Sequence, residues 1–137
     1  MMNKTEAILF LEEMYRDIVE NLNIDKIPDY FAGNYMQTTD GVTSDLVAFR
    51  NHIAELKRIA GQIRVSPFHD IVFDQEEQMA AVRYEVDVTK KHGARGQVEL
   101  LALFQWADSK IVRCHELSRP VSSGEEFKDI ASVNARP

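Results

Sequence analysis

The chain has 137 residues, of which 45% are hydrophobic and 28% charged. These are the proportions of one globular domain with a real core, not of a disordered or fibrous chain. A formal charge of −6 leaves no basic surplus to neutralise phosphates, which argues against nucleic acid and against an anionic membrane surface as partners.

The first predicted element is a helix. Ile8, Leu11, Tyr15, Ile18 and Leu22 recur at spacings of three and four, one face of a 3.6-residue period. Asn3 with Glu6 three positions on reads as the capping box that starts it. The place of Tyr15 in mid-stripe points its ring inward. The apolar run 7–11, broken by Glu12 and Glu13, is too short for a signal peptide or a membrane span. A second, short helix is predicted over residues 25–31, with Asp25 as its cap and Pro28 in its first turn. Residues 34–40 read as a short extended piece closed by the Asp40-Gly41 turn. A third helix is predicted over 44–60 with Leu46, Phe49, Ile53 and Leu56 as its stripe. Thr43 is the candidate cap and Gly61 the stop.

The period then changes to two. Residues 63–74 read as one strand placed at an edge or bulged at Pro67. Residues 79–90 alternate Val82, Tyr84, Val86 and Val88 against Arg83, Glu85 and Asp87. A hairpin loop over 90–96 leads to a strand over 98–106. That strand is apolar on both parities, with Leu100, Ala102, Phe104 and Trp106 on one and Leu101 and Leu103 on the other. A tight turn over 107–110 leads to the last strand, 111–118, and Pro120 ends the sheet. Ser123 and Glu126 have the spacing of caps for a short helix reaching Ile130 in the polar tail.

This order predicts an α+β domain over 1–118, with three N-terminal helices packed on one face of a curved, mostly antiparallel sheet, and a tail over 119–137. The second apolar face of strand 98–106, with Leu101 and Leu103, predicts cover by a second copy in a two-fold sheet-to-sheet homodimer. The single cysteine, Cys114, permits no internal disulfide, so a reducing cytoplasm is the expected location.

Three stretches carry a family resemblance. They are Ile24-Asp25-Lys26-Ile27-Pro28-Asp29-Tyr30-Phe31-Ala32, Tyr35-Met36-Gln37-Thr38-Thr39-Asp40-Gly41, and Lys110-Ile111-Val112-Arg113-Cys114-His115-Glu116-Leu117. With the order of elements, they make the chain resemble the nuclear transport factor 2-like superfamily, in its SnoaL-like and ketosteroid-isomerase-like branch. The resemblance implies a cone, a cystatin-like α+β barrel, around one hydrophobic pocket. It implies isomerase, cyclase, dehydratase, hydrolase or non-catalytic binding roles, among which fold cannot choose. Of the ketosteroid-isomerase set, the oxyanion tyrosine matches Tyr15. The base position falls on Thr39, with Asp40 one step along, and the second acid falls on Ala102, so that set is not retained. SnoaL-like relatives place an acid in the last strands, and Glu116 stands in that place here.

Glu116 is accordingly the candidate acid or base, with Tyr15 and Tyr84 as candidate hydrogen-bond donors to a substrate oxygen. The resemblance puts the parity of Cys114 and Glu116 inside, where a carboxyl among Phe104, Trp106 and Tyr84 is desolvated and its pKa raised. Trp106, Phe104, Val86, Cys114, Ala102, Thr39 and Asp40 complete the expected pocket, although Asp40 also suits the turn and a tyrosine in an apolar stripe is more often plain core. His115 points to the face opposite Glu116, and His52, beside the apolar stripe of the third helix, is expected at the surface, with the pocket rim as the alternative. No metal constellation, phosphate loop or dinucleotide fingerprint is present in the sequence, so no cofactor is expected. The partner expected is a small, mostly apolar molecule with a carbonyl or hydroxyl. The chemistry is isomerisation, cyclisation or dehydration; a non-catalytic ligand-binding or dimeric interaction domain is the alternative.

Overall fold

The computed structural model describes residues 1–121. Helix α1 (Lys4–Met14) starts at the expected capping box: the Glu6 N–H donates to the Asn3 side chain at 2.9 Å and the Asn3 N–H to the Glu6 carboxylate at 3.0 Å. The helix then widens into a π-helical segment, Tyr15–Glu20. Ala7, Leu11, Met14, Tyr15 and Ile18 form one buried face across both segments, while Ile8 is only half-buried. Asp17 is also turned inward, where it accepts the Tyr30 hydroxyl. That bond, helped by Lys26 at 3.7 Å and Arg16 at 3.6 Å, holds the carboxyl below its ordinary range.

The expected second helix is a 3-10 turn, Ile24–Lys26, followed by one α turn, α2 (Ile27–Tyr30). Pro28 sits in that first turn, but Asp25 lies inside the 3-10 turn and caps nothing. The chain then extends as β1 (Phe31–Thr39), earlier and longer than expected, and turns at Asp40 (φ 50°) and Gly41 (φ 84°) into β2 (Val42–Asp45). Two consecutive left-handed residues are what a two-residue hairpin needs. The sequence reading took Thr43 for a helix cap; Thr43 instead pairs with Thr38, and Asp45 caps α3 (Leu46–Ile59) by accepting the Ala48 N–H at 2.9 Å.

Gly61 does not stop that helix, because the chain passes directly into β3 (Ala60–Val65). The single strand expected over 63–74 is two, β3 and β4 (Asp70–Asp74). Both pair antiparallel with β5 (Met79–Lys90), β4 along its first half and β3 along its second. Pro67 lies in the connection between them, where its missing N–H breaks no ladder. Strands β6 (Arg95–Ala107) and β7 (Lys110–Pro120) follow, joined through Asp108 and Ser109, both left-handed.

The sheet order is β2-β1-β7-β6-β5-β3, with β4 beside β3 on β5. Every pair is antiparallel except β1 and β7, which run parallel. The architecture is therefore α+β as expected, with seven strands among the described residues in place of the predicted short extended piece and four long strands; among those residues the sheet has two edges and stays open. Its inner face carries Val82, Tyr84, Val86 and Val88 of β5 and Val98, Leu100, Ala102, Phe104 and Trp106 of β6, all buried. A register shift between Gln105 and Trp106 puts Ile111 inside and leaves Val112 half-buried, after which Cys114 and Glu116 face inward. On the outer face Leu101, Leu103 and Leu117 are 53%, 41% and 57% exposed. Among the described residues no helix is long and apolar enough to cross a membrane. The helix expected after Ser123 lies outside the described residues.

Candidate functional site

The parallel pairing of β1 and β7 builds the polar end of the site. It sets Gln37 against Cys114 and Thr39 against Glu116. Tyr35, Gln37 and Thr39 are two apart on one strand, so all three project from its inner face, and all three are buried. Their side chains form a chain of hydrogen bonds. The Tyr35 hydroxyl donates to Gln37 Oε1 at 2.7 Å, Gln37 Nε2 to Thr39 Oγ1 at 3.0 Å, and Thr39 Oγ1 to Glu116 Oε1 at 2.9 Å. The other carboxylate oxygen, Oε2, meets the Cys114 thiol at 4.0 Å. Burial pushes Glu116 up to about 7; the bond from Thr39 pulls the other way and the charge of Asp40 adds slightly to the rise.

Across the interior stands a tyrosine pair. Tyr15 comes from the π-helical segment and Tyr84 from the middle of β5, and their hydroxyls are 2.6 Å apart. Their rings tilt together at 4.7 Å, with Phe68 edge-on to both. Burial, with the nearby Glu116, raises both phenols well above their ordinary value, so both are neutral. Two phenols sharing one bond use one proton between them, whichever donates. The second proton is available to an oxygen brought between the pair and Glu116.

Both groups line one cavity of about 80 Å³ for the centre of a water-sized sphere, room for several waters or the reacting end of a small molecule. Its other walls are largely aliphatic and aromatic, from α3, β5 and β6. His52 of α3 lines it as well; it is buried, and desolvation lowers its pKa to about 4, so the ring is neutral. Among the described residues no group of three His, Cys, Asp or Glu side chains could hold a metal ion.

No family model and no curated protein sequence matches the chain. Solved structures do. AclR from Streptomyces galilaeus, a candidate hydroxylase, superposes with a TM-score of 0.73 at 13% identity, covering 85% of this chain and 91% of AclR. IdmH from Streptomyces antibioticus, a candidate polyketide cyclase, gives 0.68 at 12%, covering 89% and 94%. An LEH-like epoxide hydrolase from M. tuberculosis gives 0.65 at 18%, covering 83% of each chain. The chain has the nuclear transport factor 2-like fold.

Within this nuclear transport factor 2-like cone the sequence-predicted residues separate into three groups. Glu116, Tyr15, Tyr84, Phe104, Val86 and Cys114 line the cavity. Thr39 stands just behind it on Glu116, and Ala102 is the cross-strand neighbour of Glu116, buried but outside the lining. Trp106 and Asp40 are elsewhere. Trp106 packs edge-on against Phe10 and Phe73, and its indole N–H meets no hydrogen-bond partner among the described residues. Asp40 is exposed at the hairpin turn, where its carboxylate accepts the backbone N–H and hydroxyl of Ser118 and pins β1 to β7. Sequence reasoning does not single out Tyr35 and Gln37, and its preference for His52 at the surface over the pocket rim gives way to a buried ring in the cavity wall. Tyr35, Gln37 and Thr39 do share a parity, but two of the three are polar, so the strand shows no apolar alternation to mark its inner face.

Proposed function

We propose that the protein takes a small, mostly apolar molecule with a carbonyl or hydroxyl into this cavity and moves a proton on it, with Glu116 as the acid or base. The observation that carries the reading is the position of Glu116: a buried carboxyl titrating near 7, one oxygen held by Thr39, facing a neutral tyrosine pair across an apolar cavity. As base, Glu116 Oε2 takes a proton from the carbon next to a carbonyl. The developing enolate oxygen accepts the spare proton of the Tyr15–Tyr84 pair in a hydrogen bond, and Glu116 returns its proton to a different atom to complete an isomerisation, cyclisation or dehydration. The fold shared with a candidate polyketide cyclase and an epoxide hydrolase supports a cavity of this kind hosting chemistry. A second copy covers Leu101, Leu103 and Leu117 in this reading. The setting is the cytoplasm, where the single thiol stays reduced.

The test needs no knowledge of the product. A panel of uncharged ketones in heavy water, followed by proton NMR, reports exchange of the hydrogens next to the carbonyl. Wild type accelerates exchange in at least one of them, and Glu116→Gln loses about 10²–10⁴-fold of that rate. Ketones that bind without exchanging, with an affinity indifferent to Glu116→Gln, would make the protein a binding module instead.

A further inference from the structure

We propose that Tyr35, Gln37 and Thr39 are positioning residues: a one-way hydrogen-bond relay that keeps Glu116 Oε1 a permanent acceptor and confines proton exchange to Oε2. The purpose assigned to the relay rests on the acid/base reading of Glu116, while its existence does not.

The direction follows from what each group can do. Gln37 has one carbonyl and one amide nitrogen; as it stands, the first accepts from Tyr35 and the second donates to Thr39. Thr39 then has its own proton to give, and gives it to Glu116. Running the relay backwards needs Glu116 protonated on Oε1, the Gln37 amide turned over, and the Tyr35 proton sent elsewhere. The group beside Tyr35 for that proton is the Cys114 thiol, a weak acceptor. The forward direction ends on a carboxylate, the strongest acceptor in the set, and each bond in such a chain polarises the next. Protonation of Glu116 therefore takes place on Oε2 with the relay undisturbed.

The surrounding charges do not supply this asymmetry. Tyr15 of the π-helical segment, Tyr84 of β5, Tyr35 of β1 and Cys114 of β7 are neutral with raised pKa values. His52 of α3 is neutral, and Asp40 at the hairpin turn bears on the Glu116 carboxyl through its charge, while its backbone N–H donates to the Glu116 carbonyl at 3.0 Å. What distinguishes the two carboxylate oxygens is the donor each meets: the Thr39 hydroxyl at the end of the relay at 2.9 Å on Oε1, and the Cys114 thiol, a weak donor, at 4.0 Å on Oε2.

The experiment is a carbon-13 titration of glutamate carboxyls in the folded protein, with Glu116→Gln identifying the Glu116 signal. Thr39→Val raises the Glu116 midpoint by about one unit, and Thr39→Ser restores it. Tyr35→Phe removes a single hydroxyl two bonds away and raises the midpoint by a smaller amount in the same direction. Its ring still packs on Phe31 and Phe49, so this variant decides the matter even where Thr39→Val fails to fold. A midpoint unmoved by Tyr35→Phe overturns the relay, as does a Thr39→Ser variant that shifts as far as Thr39→Val. Shifts as expected without any ketone exchange in wild type keep the relay and remove the acid/base role. Exchange without the shifts does the reverse.

Discussion

Thr39 and Glu116, 77 residues apart, are neighbours on the parallel β1–β7 pair, and the hydroxyl of one donates to the carboxylate of the other at 2.9 Å. That one contact turns a buried acid into an oriented one, with one oxygen held by the Thr39 hydroxyl and the other met by the weaker Cys114 thiol at 4.0 Å.

Glu116 and His52 act on stability in opposite senses. Folding raises Glu116 from 4.5 to about 7, so the folded state binds the extra proton between these values and stability falls as pH rises through them, by about 3 kcal/mol in all. Folding lowers His52 from 6.5 to about 4, so there the unfolded state binds the extra proton and stability rises with pH through that window, by about the same amount. The two slopes oppose each other between pH 4.5 and 6.5. Urea denaturation at a series of pH values shows the separation. In Glu116→Gln stability climbs with pH up to about 6.5, in His52→Gln it declines from about 4.5 to 7, and wild type changes less than either.

Tyr15 and Tyr84 share one hydrogen bond at 2.6 Å. Tyr84→Phe and Tyr15→Phe each lower the ketone exchange rate by about 10²-fold, on the scale of losing one aimed donor. The double variant is worse than either single one, because each single change leaves one phenol with a proton to give and the double change leaves none.

Leu101 and Leu117 face each other across β6 and β7 on the exposed side of the sheet. Replacing both with Asp converts the expected dimer to a monomer in sedimentation analysis. The monomer stays folded but loses about 1–2 kcal/mol, since neither leucine is part of the core but the two new carboxylates stand directly opposite on neighbouring strands.

Ser109 has a left-handed φ of 66° in the β6–β7 turn, a conformation that glycine adopts without strain. Ser109→Gly raises unfolding free energy by about 0.5–1 kcal/mol in urea. An unchanged or lower value would show that the serine side chain offsets the strain.

The local grammar of the sequence accounts for much of the fold. The Asn3–Glu6 capping box, the stripe through Tyr15 and Ile18, the bounds of β5 and the inner parity of β6 are each readable from neighbours a few residues apart. The errors fall where two local signals compete. Thr43 and Asp45 are both capping residues, and a four-residue strand between them is too short to show a period. Residues 63–74 look like one bent strand because β3 and β4 both pair with β5, and nothing nearby in sequence reveals a shared partner.

The candidate site divides the same way. By itself the sequence determined most of the order of elements and the inward side of β5 and β6. With the family resemblance, that was enough to place Glu116, Tyr15 and Tyr84 inside. Only the tertiary structure decided that β1 lies parallel to β7, in the register that sets Thr39 beside Glu116 and lines up Tyr35 and Gln37 behind it. It likewise decided that α3 turns His52 into the cavity and that Trp106 packs away from it. Periodicity is a property of adjacent residues, whereas strand partnership and register depend on which distant surfaces pack best, and a polar strand such as β1 has no apolar pattern from which to read its partner.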